Sequence, residues 1–191
     1  MKKALKHNVR DMALIALFAA LMSVAAFIRI PMPIGPALTL QTFIAILAGA
    51  LLGPVCGALS MAVYMAIGLI GVPVFTSGGG FASILSKSFG YILGFILCAF
   101  LVGILTEKFI RPNPTFPKFM IAGLIGAFSI YLVGIPYFYL ILKYVTHADA
   151  SLSTVLVNSM LVFIPVDVLK AVFAASISRQ LYAQVRRLRA T

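Results

Sequence analysis

Asp167 and Lys170 are the only acid and base that fall together inside an apolar stretch of this 191-residue chain. Their i, i+3 spacing sets both on one face of a helix. An ionisable group in a bilayer costs at least about 2.5–3.5 kcal/mol on insertion scales, so such residues face a partner, a cavity or a ligand. The plain alternative is an ion pair that only satisfies itself. A second signal is the run 73–88, where Gly78, Gly79 and Gly80 stand among Thr76, Ser77, Ser83, Ser86 and Lys87. Three consecutive glycines maximise the entropy lost on ordering, which makes a poor connector but suits a lid that orders over a ligand. Arg29, Thr39 and Gln41 fall near the same surface, and Lys87 and Tyr91 follow the glycines. These donors, acceptors and aromatic faces suit a small polar molecule with a negative end. Gln41 alone could equally be an interhelical hydrogen bond. Ala16 and Ala20 have small-xxx-small spacing, which permits close helix approach. Spacing alone leaves open whether that face packs inside the chain or docks on another protein.

The elements that carry these residues must be membrane helices. The chain is 62% apolar and only 10% charged, against about 45–50% and 25% in soluble domains; a water-soluble domain and disorder are both excluded. Apolar runs cover 12–28, 38–52, 55–72, 89–105 and 119–142. The first ends at Arg29 and a proline-rich stretch, and the second and third meet at Gly53-Pro54, which predicts a tight antiparallel hairpin. Pro165 followed by Asp167 reads as a helix start. The expected fold is therefore an all-α membrane domain spanning 1–191, with six transmembrane helices and a short extra helix, 152–163, before a last span over 165–185.

The formal charge of +11 is spread in small groups between apolar runs. That is the pattern of positive-inside bias, not the basic face that nucleic acid needs. With the N-terminus inside, Lys2, Lys3, Lys6, Arg10, Lys108, Arg111, Lys118, Arg179, Arg186, Arg187 and Arg189 share one side; Arg29, Lys87 and Lys143 share the other. Both termini are expected in the cytoplasm. Enzyme signatures are missing. His7 and His147 lie far apart, Cys56 and Cys98 have no neighbouring base, and no Gly-Lys-Ser/Thr motif cradles a phosphate. No metal site is expected.

The order of motifs resembles a known family, the biotin-specific S-components (BioY family) of energy-coupling-factor (ECF) vitamin transporters. The resemblance runs from Ala13 to about Ala175. It is carried by Leu38-Thr39-Leu40-Gln41-Thr42, by Ala48 through Pro54, by Tyr64 with Gly68 through Phe75, by Phe89 through Phe95, and by Pro165-Val166-Asp167-Val168-Leu169-Lys170. Val166 stands where the family usually has glycine. The resemblance implies an S-component bundle in a prokaryotic cell membrane that captures external biotin. Delivery inward would require a transmembrane coupling protein and two ATPase subunits, with no cofactor of its own. It also implies that Asp167 accepts from a ureido N–H, that Lys170 attracts the carboxylate or donates to another polar ligand atom, and that Tyr91 packs on the rings. Lys87 is a second candidate for the carboxylate; Gln41 and Gly79 complete the site, and Ala16 and Ala20 dock on the coupling protein. A different vitamin, or a small membrane enzyme, is the alternative.

Overall fold

The computed structural model describes residues 9–32, 35–147 and 151–190; Lys2, Lys3, Lys6, His7 and Pro33 lie outside the described residues. Helix α1 (Val9–Phe27) leads into a short antiparallel ribbon, β1 (Arg29–Ile30) with β2 (Leu38–Thr39), pairing Arg29 with Thr39. Helix α2 (Gln41–Leu69) follows, then a loop with one 3-10 turn, Phe81–Leu85. Helix α3 (Phe89–Leu105) runs on through a π turn, Thr106–Ile110. Helix α4 (Phe116–Tyr144), the short α5 (Leu152–Leu156), a second π turn (Val157–Leu161) and α6 (Ile164–Ala190) complete the chain. The last helix starts beside Pro165, as the sequence leads one to expect.

The second element is bent back on itself. Gly53 takes φ +77° and ψ −177° inside α2, a conformation that is essentially glycine-only. Pro54, next in line, has no N–H to offer the preceding turn. Gln41 Nε2 lies 2.8 Å from the Tyr64 hydroxyl oxygen, where a straight helix would hold residues 23 apart at about 35 Å. The residues 41–52 and 54–69 are thus antiparallel arms. Helix α3 crosses this bend at backbone distance, since a Cβ on Gly103 would stand 2.5 Å from Pro54 Cα.

Among the described residues, five helices are long and apolar enough to cross a membrane: Val9–Phe27, Gln41–Leu69, Phe89–Ile110, Phe116–Tyr144 and Ser159–Arg189. That is one fewer than the six expected, because the second and third apolar runs join without a linker into one bent helix. The start of the second run also differs: Leu38 and Thr39 pair with β1 instead of opening α2. Helix α3 packs between α2 and α4, α6 touches both α2 and α4, and α1 lies on α2. Large apolar side chains such as Leu17, Phe27, Phe128, Leu132 and Phe173 remain on the outside, the arrangement of helices whose solvent is lipid. The chain is a multi-pass membrane protein.

Both described ends meet at one end of the bundle. Arg189 Nε lies 2.6 Å from Asp11 Oδ1, and its Nη1 donates to the Leu52 carbonyl at 2.5 Å, next to the Gly53 bend. Arg10 donates to the Leu188 carbonyl. A methyl group at Gly53 would need the same backbone angles and would stand 2.7 Å from Glu107 Oε1. Gly53→Ala should therefore cost about 1–3 kcal/mol, read as a lower midpoint of thermal unfolding in detergent. An unchanged midpoint would show that the bend does not depend on glycine.

Candidate ligand-binding site

Asp167 owes its position to the start of α6. Its N–H donates to the Phe163 carbonyl at 2.8 Å, and Pro165 fixes the turn before it. Asp167 is 6% exposed and Lys170 7%. Lys170 Nζ lies 2.7 Å from Asp167 Oδ1, and the Tyr131 hydroxyl of α4 donates to Oδ2. A buried charge without a partner would cost several kcal/mol; here each carboxylate oxygen has a donor and still keeps lone-pair capacity for another.

These three side chains line a pocket shared by α2, α3, α4 and α6. From α2 comes Gln41, whose Nε2 donates to the Tyr64 hydroxyl, which donates to the Val74 carbonyl at 3.1 Å. Thr39 Oγ1 donates to Gln41 Oε1 at 3.2 Å. From α3 comes Tyr91, its hydroxyl bonded to the Ser159 carbonyl at 3.3 Å. Ile92, Phe95, Ile130 and Phe163 give the walls an apolar character. A few converging polar groups on apolar walls are the ordinary make-up of a small-molecule site. The free space inside this pocket is about 40 Å³. Ordinary ligand pockets begin near 300 Å³, so admitting a ring system requires the mouth to widen.

The mouth is framed by Pro36 and Ala37, just before β2, and by Thr76 and Ser88 of the loop 73–88; all four line both the pocket and an outer groove that also holds Arg29 and Lys87. The glycine run is more structured than the lid expected from sequence. Phe75 and Gly78 exchange backbone hydrogen bonds, and the Gly80 N–H donates to the Gly68 carbonyl at 2.7 Å. The Phe75 ring rests on the bare backbone of Gly68, edge-on to Tyr64. Tyr137 donates to the Ile84 carbonyl. Arg29 ties the ribbon to this loop by donating to the Thr76 carbonyl.

Of the residues singled out in the sequence, Asp167, Lys170, Tyr91 and Gln41 come together in the pocket. Lys87 stands outside it in the groove, and Gly79 lines neither space because it lies against the Val72 carbonyl. Ala16 and Ala20 are exposed on the outer face of α1, while Ala19, Met22 and Ala26 turn inward. Tyr131 escaped sequence reasoning. A hydroxyl within an apolar run signals a need for a hydrogen bond, but nothing in the run names Asp167 as its partner.

This is a membrane-embedded S-component fold, with its pocket among the helices and its mouth under two loops. The chain superposes on the crystal structure at 2.1 Å of the S-component for biotin from an ECF-type ABC transporter with a TM-score of 0.78 and 32% identity, over 95% of this chain and 94% of that one. The sequence matches the BioY family over residues 1–187, and the chain belongs to that family. It is 40% identical to a probable biotin transporter BioY of Lysinibacillus sphaericus, over 97% of this chain and 93% of the relative. It is 34% identical to the biotin transporter BioY of Thermotoga maritima, over 91% and 96%.

The Arg29–Thr76 bond generates a test that needs no ligand. Arg29→Ala should release the loop by about 1 kcal/mol, so the Gly78 amide, bonded to the Phe75 carbonyl, should exchange with solvent about fivefold faster. Unchanged exchange would show that the ribbon does not hold the loop.

Proposed function

We propose that this chain is the biotin-binding subunit of an ECF-type transporter, a transport protein and not an enzyme. It would capture biotin outside the cell and deliver it inward with a transmembrane coupling protein and two ATPases. The observation that carries this reading is the buried Asp167–Lys170 pair in the wall of a pocket with apolar sides. Carboxylate and ammonium there offer an acceptor beside a donor, the complement of the adjacent N–H and C=O of a cyclic urea. On that assignment Asp167 accepts from a ureido N–H and Lys170 donates to the ureido oxygen. Tyr91, Phe95 and Phe163 would pack on the thioether ring, and the valeryl chain would run toward the outer groove, where Lys87 and Arg29 meet the carboxylate. Gln41 would set the rim through Tyr64; Gly79 would act through the loop's backbone. No cofactor is required, since biotin is the cargo.

Six passes with both termini in the cytoplasm is the topology we assign. Supporting it, the two arms of α2 run antiparallel, and Asp11, Leu52 and Arg189 meet at one end of the bundle. The basic residues named above favour the inside for that end. The outward Ala16 and Ala20 would form the close-approach surface for the coupling protein.

Asp167→Asn replaces an acceptor oxygen by an amide donor and removes a charge-assisted bond worth about 1.5–3 kcal/mol, which is roughly tenfold to over a hundredfold in biotin affinity. Lys170→Met should weaken biotin and neutral biotin amide equally, whereas Lys87→Gln should weaken only biotin. Wild-type affinity in well-folded Asp167→Asn protein would remove Asp167 from the site; a Lys170→Met loss confined to biotin would return the carboxylate to Lys170.

Ser77 is exposed at the tip of the glycine loop. In a background with Cys56 and Cys98 replaced, Ser77→Cys should react with an impermeant thiol reagent added to intact cells. Labelling only after permeabilisation would invert the topology.

A further inference from the structure

The end of the bundle opposite the pocket mouth holds a second cavity, of about 260 Å³, between the α2 bend, the π turn after α3, and the ends of α1 and α6. Its charged lining is Arg111, Arg186 and Arg189 against Asp11 and Glu107, three cations to two anions. Asp11 is already neutralised by Arg189. The guanidinium groups of Arg111 and Arg186 have no ion-pair or hydrogen-bond partner among the described residues, although the Arg111 backbone N–H donates to the Thr106 carbonyl at 2.8 Å. Glu107, which leans over Gly53, is the only acid left to oppose them among the groups lining the space. Thr106 also lines the cavity, and its hydroxyl is buried with no hydrogen-bond partner. A buried hydroxyl without a partner is costly, and a threonine in a helix ordinarily bonds a carbonyl one turn back. Phe109 and Leu188, on the same two elements as Thr106 and Arg186, are exposed at 63% and 57%, so apolar and cationic side chains alternate at this end, as they do where helices leave hydrocarbon for headgroups.

We infer that this cavity binds an anionic phosphate group, at the depth where phospholipid headgroups lie. Guanidinium forks match phosphate oxygens geometrically, and basic pockets between membrane helices at this level take acidic lipid headgroups. Arg111 and Arg186 would hold the phosphate oxygens, and Thr106 would donate its free hydroxyl. The net excess of one positive charge fits a singly charged phosphodiester. The occupant would bridge α3 and α6 at the bend, where Arg189 joins α1, α2 and α6. This inference needs only the membrane location of the chain and is independent of the biotin assignment.

The test is lipid retention by purified full-length protein, by native mass spectrometry and by thermal unfolding, with dioleoylphosphatidylglycerol and dioleoylphosphatidylcholine as probes. Phosphatidylglycerol should be retained and should raise the unfolding midpoint more than phosphatidylcholine. Arg111→Gln/Arg186→Gln should weaken that retention about tenfold or more, the scale of one lost charge-assisted bond. Thr106→Val should weaken it and Thr106→Ser preserve it. Lys118→Gln is the control on the same face, since its Nζ already serves the Phe109 and Asn113 carbonyls. Displacement of the lipid by millimolar inorganic phosphate would assign the site to soluble phosphate; persistence of the lipid would assign it to the headgroup. Equal retention of the two lipids by wild-type protein, or an equal loss in Lys118→Gln and the arginine double variant, would overturn the inference. Should the double variant not fold, the lipid comparison and the Thr106 pair decide the matter.

Discussion

The bundle is organised around one buried ion pair. Asp167 and Lys170 lie within about two turns of the start of α6 and are almost fully enclosed. Breaking such a pair by removing one member costs about 3–5 kcal/mol, whereas replacing both by apolar side chains is often neutral. Stability alone therefore does not account for keeping two charges inside an apolar bundle. On the assignment proposed above recognition does, because the pair keeps an acceptor and a donor side by side and desolvated. Tyr131 reinforces this by holding the second carboxylate oxygen from α4, so the direction of the carboxylate depends on two helices packed together.

That packing depends in turn on small residues. A Cβ on Gly94 would stand 2.9 Å from Ile130 Cα, and one on Gly126 3.0 Å from Cys98 Sγ. Helices α3 and α4 thus approach at backbone distance, as membrane helices do when no hydrophobic effect drives them together. Close approach at their middles is what lets Tyr91 and Tyr131 reach α6 and its neighbours. The Gly53 bend has the same role for α2: it brings Tyr64 back beside Gln41, linking the pocket wall to the root of the glycine loop through Val74.

Much of this was legible in the residues. The cost of charge in an apolar run exposes Asp167 and Lys170, and Gly53-Pro54 announces a reversal because no helix continues through that pair of backbone constraints. What the sequence hides is whatever depends on register between distant helices. Tyr131 is one of four tyrosines in α4, and only the packing angle decides which meets α6. The count of crossing helices is ambiguous for a related reason, since a reversal without a linker leaves two apolar arms in one continuous element. A lid of glycines leads one to expect Gly79 at the pocket, and a need for a cation near the carboxylate leads one to expect Lys87 there. The loop's own hydrogen bonds turn Gly79 onto Val72 and leave Lys87 in the outer groove.

The glycine loop also shows why entropy arguments from composition reach only halfway. Three glycines make ordering expensive, yet here that cost is met by specific contacts: the Phe75 ring seated on Gly68, the Gly80 N–H on the Gly68 carbonyl, and Arg29 on Thr76. Glycine at position 68 supplies the flat surface that Phe75 needs, so one helix residue and one loop residue together set the closed form. Each hydrogen bond among these contacts is worth about 1 kcal/mol. On the biotin assignment the pocket must widen to admit its ligand, and contacts of this strength can give way one at a time.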